Sequence, residues 1–255
     1  MTIDVLPDIT VVFLVLFARI GTLVMLMPGL GEQSVPMNVR LALALLLTLV
    51  FYPLTAPSLP AGLAENPPAL MMAMIREVLV GLGLGLLMRM LMSLTQTAGA
   101  IIAQMMGLSF AQSVDPTMGG AQGAILGSFL GVVGITMIFV TDLHHLAIAG
   151  LAGSYRVFPP GSFMPIGDMS RMATSTIAGV FVVAVQISAP FIVFGLVFNF
   201  ALGLLAKLMP QLQVFFLAMP VTIFVGMMLF ALLLMTMVTA YLGHLESGLM
   251  RLVPR

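Results

Sequence analysis

Residues 105–123 read MMGLSFAQSVDPTMGGAQG, a broken stretch between two long apolar runs. The stretch carries four glycines, two serines, the Asp115-Pro116 step and one aromatic side chain, Phe110. Asp-Pro favours a turn, and glycine permits backbone angles that other residues avoid. Irregular backbone between helices of membrane character has to be buried in protein, line a cavity or sit in water. The stretch therefore reads either as a gate or binding loop or as a plain connector, and its flanks decide which fold carries it.

Those flanks belong to an all-α membrane protein. Of the 255 residues, 61% are hydrophobic and 7% charged, and the mean hydropathy is +1.20. Globular domains carry about 25% charged residues, so this chain cannot supply a water-soluble surface of its own. It is either an integral membrane protein or a subunit buried by partners. A formal net charge of zero argues against nucleic acid as a partner, because nothing neutralises phosphates. The absence of cysteine excludes disulfides, thiol catalysis and thiolate-bound metals. With no Trp and three Tyr, the aromatic belt expected at a lipid interface is thin. The 24 methionines are flexible side chains that fill irregular gaps in a core. The N-terminus places Asp4 and Asp8 where a secretory signal would be basic, so it is read as retained.

Working outward, residues 69–103 precede the broken stretch and exceed the roughly 20 residues one span needs. They carry Arg76, Glu77 and Arg89 together with Gly81, Gly83 and Gly85, so this helix tilts, kinks or continues beyond the hydrocarbon. Nearer the N-terminus, residues 9–27 form an apolar run with Arg19 near its middle, costly in lipid unless it faces protein or water. A Gly/Pro-rich turn (28–36) and a Leu/Ala-rich helix (39–52) follow. On the far side, residues 124–151 form a run interrupted by DLHH at 142–145, and residues 154–171 form the longest polar connection. Two further helices, 172–206 and 212–243, are joined by the hairpin KLMPQLQ at 207–213. About six apolar segments result. Lys and Arg are nearly balanced between the two sides, with a slight excess that puts the C-terminus in the cytoplasm.

Gly119, Gly123, Gly127 and Gly131 recur every four residues and make one smooth helix face suited to close packing. Gly195, Asn199 and Gly203 repeat that spacing with an amide in the middle, as at a helix seam. Arg76 and Glu77 are adjacent, so they point about 100° apart on a helix and each meets a different neighbour. They are read as buried polar contacts, with a proton or ion relay as the alternative. On a continuous helix, Asp142 and His145 share a face while His144 points away. With no further His or Cys nearby, that group is read as a structural polar cluster and not a metal site. Arg19, Arg76, Glu77, Arg89, Asp142 and His145 together make the set of buried polar residues. No phosphate loop, paired carboxylates or Ser-His-Asp set is present, so the chain reads as non-enzymatic, without cofactor or metal.

Four segments are similar to one known family: FARIGTLVMLMPGLGEQSVPMNVRLALAL (17–45), REVLVGLGLGLLMR (76–89), MGLSFAQSVDP (106–116) and NFALGLLAKLMPQLQVF (199–215). They occur in family order, and the chain resembles the FliR family of flagellar export-gate proteins, whose counterparts serve virulence type III secretion. The resemblance implies a subunit of a hetero-oligomeric gate, with five FliP-like and four FliQ-like subunits, built of tilted, broken helical hairpins. FlhB-like and FlhA-like export components would be further partners, with membrane lipid around the gate and unfolded proteins as substrates. It implies a FliP-like region at 1–165, containing the plug loop at 105–123, and a FliQ-like hairpin with a short tail at 166–255. The plug residues carried over are Gly107, Leu108, Ser109, Phe110, Gln112, Asp115 and Pro116, with Phe110 as the apolar stopper. Lys207, Pro210, Gln211 and Gln213 match the hairpin tip that faces FlhB; Gln213 stands where Asn is more usual. The implied place is the bacterial inner membrane, in the flagellar basal body. Two alternatives stand beside it: the injectisome counterpart, and a proton- or solute-coupled transporter using Arg76, Glu77 and Asp142. The second is disfavoured because no repeated broken segment appears.

Overall fold

Leu, Ala, Met and Val dominate the apolar runs, and the runs fold as helices, which satisfy every backbone polar group internally. The computed structural model describes residues 5–32, 35–59, 62–108, 121–160, 166–209 and 213–251. Among these residues the helices are α1 (Val5–Leu26), α2 (Met37–Thr55), α3 (Pro67–Met105), α4 (Ala121–Val140), α5 (Leu143–Val157), α6 (Ile166–Leu208) and α7 (Val214–Met250). Two short 3₁₀ turns, Ala56–Ser58 and Leu63–Glu65, lie between α2 and α3. No strand occurs among the described residues. Five helices are long and apolar enough to cross a membrane, or six when α4 and α5 are taken together as one broken span. The expectation of an all-α membrane protein with about six apolar segments holds.

Helix ends follow local chemistry. Asn66 opens α3 by accepting the Ala69 N–H on its side-chain oxygen at 3.2 Å. Pro67 and Pro68 follow at the first helical positions, where a missing N–H costs nothing. From there α3 runs unbroken for 39 residues and stops where the broken stretch begins. Gly107 adopts a left-handed backbone (φ 76), its N–H donates to Gln104 O at 3.2 Å, and Leu108 N–H donates to Ala103 O at 3.0 Å. This pair of bonds is the Schellman termination, and glycine occupies the position that a Cβ would strain. The DLHH interruption is also real. Asp142 has φ 59, a left-handed angle that Asp tolerates better than most side chains, and it separates α4 from α5.

The chain forms two compact units. One comprises Met1–Leu91, Phe139–Ile177 and Glu246–Arg255. Its core holds Leu16, Ile20, Leu23 and Val24 of α1, Leu84, Leu87 and Met88 of α3, and Leu151 of α5. The other comprises Met92–Ile138 and Ala178–Leu245. There α3 buries Leu94, Ala98 and Ile102, one residue per turn, Met106 just past its end is buried as well, and Phe230 of α7 meets the rings of Phe129 and Phe191 at 6.0 and 6.3 Å.

Candidate functional site

In the second unit, the site lies where α3 ends. Met106 is fully buried and Met105 half-buried. Each rests on a glycine of a different C-terminal helix. A carbon added at Gly195 of α6 would lie 3.1 Å from Met105 Sδ and 3.2 Å from its carbonyl oxygen. A carbon added at Gly226 of α7 would lie 2.7 Å from Met106 Cγ. The two glycines make room for two bulky, flexible side chains. Beside them is a cavity of about 190 Å³ lined by Gln104, Met105, Gly107, Asn199, Leu202, Phe216, Met219 and Thr222. The root of the broken stretch is thus seated between α6 and α7 by Met105 and Met106.

The expected packing glycines divide under this geometry. Gly127 packs against α3 so closely that a carbon added at Gly99 would overlap the Gly127 backbone. One at Gly127 itself would lie 3.3 Å from the Gln96 backbone. Gly195 is buried and serves as described. Gly131 has only Thr95 Oγ1 at 3.8 Å, an ordinary contact. Gly203 meets nothing within 4 Å among the described residues and lies on an exposed face of α6, so no seam forms there within this chain. Asn199, expected to bond across a seam, is exposed and lines the cavity. Gly119 lies outside the described residues. Gly123 is in α4, and its surroundings are likewise outside. Of the plug residues, Gly107 and Leu108 form the helix stop, while Ser109, Phe110, Gln112, Asp115 and Pro116 lie outside the described residues. At the hairpin tip, Lys207 is exposed in the last turn of α6, and the Gln213 carbonyl accepts the Phe216 N–H at 3.0 Å as α7 begins. Pro210 and Gln211 lie outside.

The first unit contains a buried ion pair. Arg19 and Glu77 are 0% and 1% exposed. Arg19 Nε donates to Glu77 Oε2 at 2.6 Å and Nη2 to Oε1 at 3.0 Å. This is a two-point clasp, which suits a planar guanidinium. Nη2 also donates to the Phe158 carbonyl at 2.8 Å, and Nη1 lies 3.4 Å from Ser154 Oγ. The guanidinium carbon sits 4.1 Å from the centre of the Tyr155 ring. One turn along α3 from Glu77, a carbon added at Gly81 would lie 2.5 Å from Arg19 O, and a further turn on, one at Gly85 would lie 2.7 Å from Leu26 Cβ. Glu77, Gly81 and Gly85 therefore form one face against α1.

Of the six residues expected to be buried polar groups, Arg19 and Glu77 are buried and paired. Arg76 is half-buried. Arg89, Asp142 and His145 are exposed on this chain, so within it they do not join the buried set. Arg89 lies on the outer face of α3, and at the left-handed bend Asp142 and His145 face outward while Leu143 is buried. The same bend brings His144 back. The donor atoms of Asp142, His144 and His145 lie within 4.8 Å of one another, because Asp142 precedes the helix instead of belonging to it. Asp142 and His145 approach to 3.7 Å.

Comparison of the whole chain decides its family. Residues 10–248 match the model for bacterial export proteins, family 1. The chain belongs to that family. Similar curated relatives include the flagellar biosynthetic protein FliR of Caulobacter vibrioides, 43% identical over 222 residues, covering 85% of each chain. The protein of the same name from Pectobacterium carotovorum is 33% identical, covering 91% of this chain and 87% of the relative. That from Escherichia coli K12 is 31% identical, covering 92% and 88%. Relatives at this identity and coverage bear out the resemblance to the FliR family.

For this family-1 export protein, the most consequential pairing missed from sequence is Arg19 with Glu77. The usable signal was the i, i+4, i+8 spacing of Glu77, Gly81 and Gly85. It places a charge on the face where another helix comes closest.

Proposed function

We propose that this chain is a non-enzymatic core subunit of the flagellar type III export gate. In this reading it helps form the channel for unfolded flagellar proteins and plugs that channel with residues 107–116. The family match over residues 10–248 carries the export role, and the relatives' shared name, flagellar biosynthetic protein, favours a flagellar gate over an injectisome. The anchored end of α3 supports the plug. A stopper must let its tip yield while its root stays fixed, and Met105, Met106 and the Schellman stop supply such a root. The proposed partners are FliP-like and FliQ-like subunits, with FlhB-like and FlhA-like components and membrane lipid around them. The proposed division is a FliP-like region at 1–165 and a FliQ-like hairpin at 166–255, and the proposed place is the inner membrane within the basal body. A relay through Glu77 is disfavoured, since both its oxygens are engaged by Arg19.

Deleting residues 109–116 while keeping Gly107 and Leu108 tests the plug. The complex should assemble and the membrane should leak small ions. Unchanged ion permeability in cells that carry the assembled variant would sink the plug role.

A further inference from the structure

We propose that Arg19 is a positioning residue for the end of α5, and that Glu77 serves to hold the guanidinium in that place. The inference concerns the chain's own geometry and stands whether or not the gate reading does.

The guanidinium has donors along two edges and two faces for stacking. One edge goes to Glu77. Among the described residues, its other partners lie within residues 154–158: the Phe158 carbonyl, the Ser154 hydroxyl and the Tyr155 ring. These are the last turn of α5 and the residue that caps it. The last carbonyls of a helix have no partner within the helix, and the Ser154 hydroxyl is already committed, since its Oγ donates to Leu151 O at 2.7 Å. Arg19 supplies a donor to this terminus at the Phe158 carbonyl, and its positive charge matches the negative end of the helix dipole. Pro159 and Pro160 come next in sequence and cannot continue the helix ladder, so the chain leaves α5 at the atom Arg19 holds.

This division of labour explains why a costly group is kept. A buried ion pair can often be replaced by apolar residues with no loss of stability, so stability alone does not require this one. An apolar pair would fill the space between α1 and α3 but would leave the Phe158 carbonyl unpaired. Lysine would fail as well, because one ammonium cannot clasp a carboxylate at two points while donating to a carbonyl behind it.

The cysteine-free chain accepts spin labels where they are wanted. Labels at the exposed positions Leu14 and Arg156 report α1 against α5, and labels at Leu14 and Met71 report α1 against α3. Distances are measured on the full chain, purified with its natural partner subunits. In R19M/E77L the α1–α3 distribution should stay narrow while the α1–α5 distribution broadens about twofold, and R19K should also broaden the latter. E77Q keeps a carbonyl acceptor for Arg19 but removes its counter-charge, so it should lower the melting temperature and still leave the α1–α5 distance narrow in the folded chain. An α1–α5 distribution as narrow in R19M/E77L as in the parent would overturn the proposal. So would E77Q broadening it as much as R19K, because the carboxylate charge and not the guanidinium would then be decisive.

Discussion

The two compact units hold their helices together by opposite means. In the first, α1 and α3 meet around Arg19 and Glu77, a charge pair with directional bonds and almost no exposure. In the second, α3 meets α4 backbone to backbone at Gly99 and Gly127, while Met105 and Met106 at its end fill the spaces left by the missing side chains of Gly195 and Gly226. A polar clasp tolerates little, because removing one partner strands the other's charge. A fit between glycine and methionine degrades gradually, because a thioether chain has three rotatable bonds with which to move aside.

That contrast predicts a ranked set of effects. The largest is Arg19→Ala, which leaves Glu77 buried and unpaired and should cost about 3–5 kcal/mol. It would be read as loss of folded chain from membranes or a collapsed melting transition in detergent. If R19A melts within a few degrees of the parent, the pair is not the clasp of the first unit. Next is Gly127→Leu. Its neighbour is helix backbone and cannot move aside, so the cost should reach the upper end of about 1–3 kcal/mol for overpacking, with weaker co-purification of partner subunits. Smaller again is Gly226→Ala, whose nearest atoms belong to the flexible Met106 side chain. A cost of about 1 kcal/mol is expected, and G226A combined with Met106→Ala should recover part of it in a double-mutant cycle. Full additivity in that cycle would show that the two do not touch. Gly203→Ala reverses the sign. With nothing within 4 Å, it should stabilise α6 by about 0.5–1 kcal/mol through helix propensity, visible as a small rise in melting temperature. A fall would mean that another subunit packs on that glycine.

The features legible in the sequence were those set by neighbours along the chain. Apolar length announced the helices, and the broken stretch that begins at residue 105 announced the end of α3, because each rests on interactions within a few residues; the exact ends, at Pro67 and Met105, came from the structure. Arg19 and Glu77 stand 58 residues apart, and nothing local ties one to the other. Sequence showed only that each was too costly to leave in lipid alone. Gly203 shared the spacing of Gly195 but not its surroundings, since spacing places residues on a face without saying what that face meets. The division into two units was also hidden: the break falls between Leu91 and Met92, inside one continuous helix, where no loop or change of composition marks it.

The end of α3 has a mechanical meaning as well. Any pull on the chain beyond Leu108 reaches the helix first through the Leu108 and Gly107 amides, whose bonds close back over the last turn onto Ala103 and Gln104. The load then passes to Met105 and Met106, braced against two separate helices. A tug from one side is shared among three helices before any of them begins to unwind.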